Sequence, residues 1–154
     1  MSLIFDTHAH YDDEAFDADR ETLLASMPEH GVGLILDPGC DPETSRRAVE
    51  LARTYPHVYA AVGWHPENCA PYTEDSLDAL RAWVREPKVV AIGEIGLDYY
   101  WEQNPPRELQ RRVLRDQLAL AQELDLPVIV HDREAHADSL AIVQEFPAVR
   151  GVFH

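Results

Sequence analysis

At 154 residues and 45% hydrophobic, the chain is long enough to bury one ordinary core. Its 28 acidic residues against 13 basic ones give a formal net charge of −15, which argues against a protein that grips duplex DNA along a basic stripe. No apolar run approaches a membrane span, the first residues lack the basic and apolar regions of a signal peptide, and Cys40 and Cys69 lack C-x-x-C spacing. A cytoplasmic protein with reduced thiols and no disulfide framework is expected.

The first strand is expected at Leu3 to Thr7, followed directly by His8-Ala9-His10. Side chains alternate along a strand, so these two histidines project to the same side and can close on one ion. A helix near Ala18 to Glu29 follows, with Gly31 as its C-terminal stop, and then a strand at Val32 to Leu36. Asp41-Pro42 supplies an N-cap with proline at the first helical position, Glu43 lies in the first turn, and the helix runs from Pro42 to Thr54. The third strand is read at Val58 to Val62 and the third helix at Glu74 to Arg85; the fourth strand, Val89 to Ile92, leads into Glu94. In the helix from Arg107 to Leu124, Leu114, Leu118, Ala121 and Leu124 share a face and read as core, leaving Arg111, Arg115 and Asp116 for solvent or a neighbour. The fifth strand, Val128 to Val130, ends on His131; a helix at Ala135 to Glu145 and a last strand at Gly151 to Phe153 lead to His154.

Short apolar strands alternating with helices imply a parallel sheet covered on both faces, either doubly wound or closed as a (β/α)8 barrel. The donor residues decide between them. Ligands after strands 1, 4, 5 and 6 converge only if the sheet curls, and the carboxyl-terminal rim of a barrel is where such residues gather. The fold class expected is therefore α/β, a TIM-like barrel domain over 1–154 with about six strands and five helices, two β-α units short of eight. Either the segment belongs to a longer product or another chain completes the barrel, because bare strand edges invite self-association.

Glu94, set among apolar residues and glycines, needs an ion or an arginine to offset its burial. Imidazole with carboxylate suits Zn²⁺ or Mn²⁺, whereas sites made only of oxygen suit Mg²⁺. Asp6 shares the strand parity of His8 and is placed to orient its ring. On the rim, His65 reads as a substrate contact or as a turn residue fixed by Pro66. Arg133 reads as a phosphate fork or as a salt-bridge partner of Asp132 or Glu134. The loop Asp98-Tyr99-Tyr100-Trp101 either packs on the barrel top or stacks on an unpaired base. Trp64 reads as packing, and His30, His57 and His136 as solvent-exposed histidines outside the site.

Five motifs in order, Phe5-Asp6-Thr7-His8-Ala9-His10, Val62-Gly63-Trp64-His65-Pro66, Gly93-Glu94-Ile95-Gly96-Leu97-Asp98-Tyr99, Val130-His131-Asp132-Arg133-Glu134-Ala135 and Gly151-Val152-Phe153-His154, resemble the TatD family of metal-dependent deoxyribonucleases. The resemblance implies a TIM-like barrel holding two divalent ions (Zn, Mn or Mg) and hydrolysing phosphodiesters of DNA from the 3′ end. It implies that His8 and His10 bind the first ion, that Glu94 bridges both as the catalytic carboxylate, and that His131 and His154 bind the second. Two ions roughly 3.5 to 4 Å apart lower the pKa of a shared water, and the bridging hydroxide is the expected nucleophile. Family members also supply a later aspartate, which this sequence does not contain. Without a basic stripe, DNA as partner is expected to be held at ends or single strands by the ions and a few arginines, with no membrane and no obligate protein partner. Two other readings stay open. One is an amidohydrolase-like enzyme acting on a small amide or lactone, although such barrels generally carry a lysine at the metal bridge. The other is a catalytically incomplete barrel fragment.

Overall fold

A computed structural model describes residues 3–154; Met1 and Ser2 lie outside the described residues. Six strands, β1 (Ile4–Asp6), β2 (Val32–Pro38), β3 (Val58–Val62), β4 (Val89–Asp98), β5 (Val128–Arg133) and β6 (Gly151–Phe153), form one sheet in the order of the sequence, and every neighbouring pair is parallel. Helices α1 (Arg20–Ser26), α2 (Pro42–Thr54), α3 (Ser76–Trp83), α4 (Arg107–Leu124) and α5 (His136–Gln144) connect them. A doubly wound sheet would reverse its strand order at a switch point. This one never reverses, so the sheet curls as a half-barrel.

The main core lies between sheet and helices. Ala60, Val62, Ile92, Ile95, Leu97 and Val130 of the strands meet Val49, Leu80, Leu114 and Leu118 of the helices, all buried. On the inner face Leu36, Ala61, Ala91 and Ile129 form a smaller cluster. The apolar strands are therefore covered on both faces only at the centre of the sheet. Ile4 and Phe5 of β1 and Val152 and Phe153 of β6 are at least half exposed, a departure from the expectation for the two edges.

Boundaries follow local chemistry. The Asp41 carboxylate accepts from the Thr44 N–H at 2.8 Å while the Thr44 hydroxyl accepts from the Asp41 N–H at 2.9 Å, a complete capping box ahead of Pro42. The first helix is shorter than its periodicity suggests. Asp13 caps a 3-10 turn at Glu14–Phe16, α1 starts only at Arg20, and Pro28, with no N–H to continue the ladder, closes its end. Strands β2, β4 and β5 instead run two to six residues past their apolar stretches, carrying Asp37, Asp98 and Arg133 inside the sheet. Extension of β4 needs Gly96: at φ +143° a Cβ there would stand 1.9 Å from the His131 carbonyl oxygen.

Candidate metal centre

The carboxyl ends of the strands open into a cleft of about 690 Å³ whose lining includes His8, His10, His65, Glu94, His131 and His154. Glu94 is 3% exposed and sits at its centre. Ile92, Ile95 and Leu97 all face the helices, a spacing that strict alternation forbids. The register irregularity between Ile92 and Ile95 absorbs the mismatch and turns Glu94 to the inner face, as bulges beside active sites do.

The two oxygens of that carboxylate sort the histidines into two sets. Oε2 lies 3.2 Å from His8 Nε2 and 3.3 Å from His10 Nε2. Oε1 lies 2.6 Å from His154 Nε2, 3.2 Å from His131 Nδ1 and 3.4 Å from His65 Nε2. The rings of His8 and His154 approach to 4.0 Å between centroids and join the sets. His65, read from the sequence as a rim contact, thus stands inside the cluster. Its Nδ1 accepts from the Glu67 N–H at 3.2 Å, which leaves Nε2 for the carboxylate.

Burial pushes the Glu94 carboxyl up, but hydrogen bonds from His10, His131, His65 and His8 outweigh it and hold the group far below the usual carboxylate range. His10 is pushed up to about 10, first by Asp12 and then by Glu94. In His131 desolvation is outweighed by Glu94 and Asp98, so its pKa rises; in His154 desolvation prevails and lowers it. Protons on His10 and His131 are therefore the competitors of a cation, and ion binding would release them.

The donor set fits a divalent cation. His8 and His10 turn their Nε2 atoms to within 3.1 Å of each other beside one carboxylate oxygen, an approach that a shared ion explains better than a hydrogen bond between two like rings. Two trios with convergent donor atoms, His8-His10-Glu94 and His65-Glu94-His131, share Glu94. No arginine or lysine pairs with Glu94 among the described residues.

Several supports were not visible in the sequence reading. Asp98 accepts at Oδ2 from His131 Nε2 at 3.0 Å, fixing the ring with Nδ1 towards Glu94. Two buried glutamines of α4, seven residues apart and so on one face, hold the site's backbone. Gln110 accepts from the Asp98 N–H at 2.8 Å and donates to the Asp98 carbonyl; Gln117 does the same for Trp64 at 2.7 and 3.1 Å. Arg20 donates to the carbonyls of Tyr11, Asp12 and Asp13 and anchors the segment after His10. The signal that could have revealed Asp98 is its spacing of four from Glu94, which keeps strand parity.

Other expectations change. Asp6 accepts from the backbone N–H of His8 at 3.4 Å rather than from its ring, and His8 Nδ1 is buried without a partner among the described residues. His57 is half-buried, its Nε2 without a partner among the described residues, whereas His30 and His136 are exposed, His136 bonded to Asp132. Trp64 is buried against Tyr72. Cys40 lies with Sγ 3.9 Å from Glu94 Oε2, and burial pushes its thiol up, so it offers no thiolate to an ion. Arg133 lines the cleft and stacks on Tyr100, its centre 4.0 Å from that ring, instead of pairing with Asp132 or Glu134.

Five imidazoles sorted about one buried carboxylate at the open end of parallel strands make a hydrolase-like rim, and residues 5–154 match the family described as TatD related DNase. The chain belongs to this family. It is 42% identical, over 99% of its length and 60% of the relative's, to the uncharacterized metal-dependent hydrolase YabD of Bacillus subtilis. It is 39% identical, over 91% of its length and 53% of the relative's, to the 3′-5′ ssDNA/RNA exonuclease TatD of Cronobacter turicensis. The crystal structure of YjjV, a TatD homologue of Escherichia coli, superposes with a TM-score of 0.85 at 38% identity, covering 93% of this chain and 56% of that one. The chain thus spans little more than half the length of the curated relatives it matches.

Proposed function

We propose that this chain carries the metal-binding half of a phosphodiesterase that trims DNA or RNA from single-stranded 3′ ends. The observation that carries the reading is the partition of imidazoles between the two Glu94 oxygens. In this reading His8 and His10 would hold one divalent ion together with Glu94, His131 and His154 would hold a second with the same carboxylate, and His65 stands on the side of the second pair. When bound, such ions activate a water molecule and neutralise the phosphate.

The chain's own residues do the rest. Glu94 keeps its negative charge at every physiological pH, so it is available to bridge. Asp98 holds the His131 tautomer, and Gln110 holds Asp98 in turn. Arg133 is the cation at the cleft that no carboxylate neutralises among the described residues. Arg47, the other arginine of the lining, is taken by Glu43 and Glu14. Asp13, Glu14, Glu43 and Glu67 line the same cleft and repel a polyanionic duplex. Names of relatives such as the Cronobacter exonuclease support the same substrate class. The acidic lining also favours a second reading, hydrolysis of a small uncharged amide or lactone.

The test is trimming of 5′-labelled single-stranded DNA and RNA with Mg²⁺, Mn²⁺ or Zn²⁺, alongside bound-metal content. Metal-dependent shortening from the 3′ end that disappears in Glu94→Ala is the expected result. Trimming that persists in Glu94→Ala removes the mechanism, and amide or lactone hydrolysis without trimming favours the second reading.

A further inference from the structure

Beside the cleft stands a cluster that the metal chemistry does not use. Tyr100 and Trp101 are 50% and 43% exposed, their ring centroids 4.6 Å apart and their planes at 88°. The Arg133 guanidinium lies 4.0 Å from the centre of the Tyr100 ring and 5.3 Å from that of Trp101. From this arrangement we infer that Tyr100, Trp101 and Arg133 form a reader for one unpaired nucleobase and its phosphate next to the reacting bond. The inference rests on the phosphodiesterase reading and deepens it.

Three observations carry it. The first is rigidity. The Tyr100 N–H donates to Asp98 Oδ1 at 2.9 Å, the Asn104 N–H closes a turn on the Trp101 carbonyl at 3.2 Å, and Pro105-Pro106 fixes the exit. A ring surface held in place loses little freedom when a base stacks on it.

The second is coupling to the metal centre. Asp98 uses Oδ2 for His131 and Oδ1 for Tyr100, so one carboxylate sets both a candidate ligand and the aromatic pair. Arg133 follows His131 by two on β5 and shares its face, about 6.6 Å further along at a strand's rise of roughly 3.3 Å per residue.

The third is the contrast with Tyr99. Its hydroxyl donates to Asp138 at 2.7 Å and Arg107 covers its ring at 4.2 Å, so this residue anchors the loop. Arg133 lies over Tyr100 much as Arg107 lies over Tyr99, so exposure is what separates them: Tyr99 packs half-buried against the core, whereas Tyr100 and Trp101 stay exposed beside a guanidinium that no carboxylate pairs with among the described residues. An aromatic face accepts any base, and the guanidinium takes a phosphate oxygen. A base inside a duplex is stacked and unavailable, so the reader selects single-stranded ends without a basic stripe.

The experiment compares two single-stranded oligonucleotides, one normal and one abasic at its 3′-terminal nucleotide, and adds titration of protein tryptophan fluorescence with the normal oligonucleotide in a chelator. Wild type is expected to favour the normal end by about tenfold or more in kcat/KM. Tyr100→Ala and Trp101→Ala bring that ratio close to one, and Trp101→Phe restores much of it. Oligonucleotide quenches the fluorescence of wild type and not of Trp101→Phe. Equal trimming of both ends by wild type, or a preference that survives both alanine variants, overturns the reader while leaving the phosphodiesterase standing. Quenching without any trimming removes the phosphodiesterase and keeps base binding; neither quenching nor trimming removes both.

Discussion

Glu94 and Asp37 are both buried carboxylates on the late part of a strand, β4 and β2, yet their ionisation moves in opposite directions. Asp37 is pushed up to about 8, first by desolvation and then by the neighbouring Asp12. Glu94 feels the same desolvation and ends far below the ordinary range, because imidazoles donate to both its oxygens. Asp37 receives one backbone N–H, from Asp12 at 3.1 Å, and its other oxygen has no partner among the described residues. Burial therefore does not set the charge of an acid in this barrel; the donors turned towards it do. The Glu94 side is built for a permanent anion, and the Asp37 side favours a neutral acid.

Glu94→Gln tests the contrast most severely. It is expected to lower kcat/KM for a phosphodiester by about 10³-fold or more and to release bound metal, measured by steady-state kinetics and elemental analysis. Asp98→Asn is expected to weaken metal binding by about 10- to 100-fold, read by calorimetric titration, because it loosens His131 without removing a donor. An unchanged affinity would mean that the Asp98–His131 bond orients nothing.

Gln110→Leu strips both hydrogen bonds from the buried Asp98 backbone. A loss of about 1–3 kcal/mol in urea unfolding is expected. Asp37→Asn tests the other carboxylate through pH. Its folded pKa is raised, so its contribution is fully present below the ordinary carboxylate value and is lost as pH rises towards about 8. Relative to Asp37→Asn, the native chain should lose more than about 1 kcal/mol between pH 5 and pH 8 in urea titrations. A constant difference across that range would place a charged carboxylate at Asp37 and erase the contrast.

Much of the fold was legible because its signals are local. The Asp41-Pro42 cap, the leucine stripe of α4 and the apolar runs of the central strands each reflect a period or a turn chemistry that neighbouring residues suffice to set. The shortened α1 and the lengthened β4 were not legible. The Asp13-capped turn and the Arg20 side chain bonded to the loop after His10 delay α1, and backbone pairing with β5 extends β4.

The sequence by itself determined the order of the elements and offered His8, His10, Glu94, His131 and His154 as candidate donors. Tertiary structure alone turned Glu94 inward, since continued alternation from Ile92 would have aimed it at the helices and only the irregular pairing of β4 with β5 reverses it. It also brought His65 to Glu94, Asp98 to His131 and Arg133 onto Tyr100. Periodicity states which residues share a face of one strand. Which faces meet depends on register and curl, and those are fixed between strands distant in the chain.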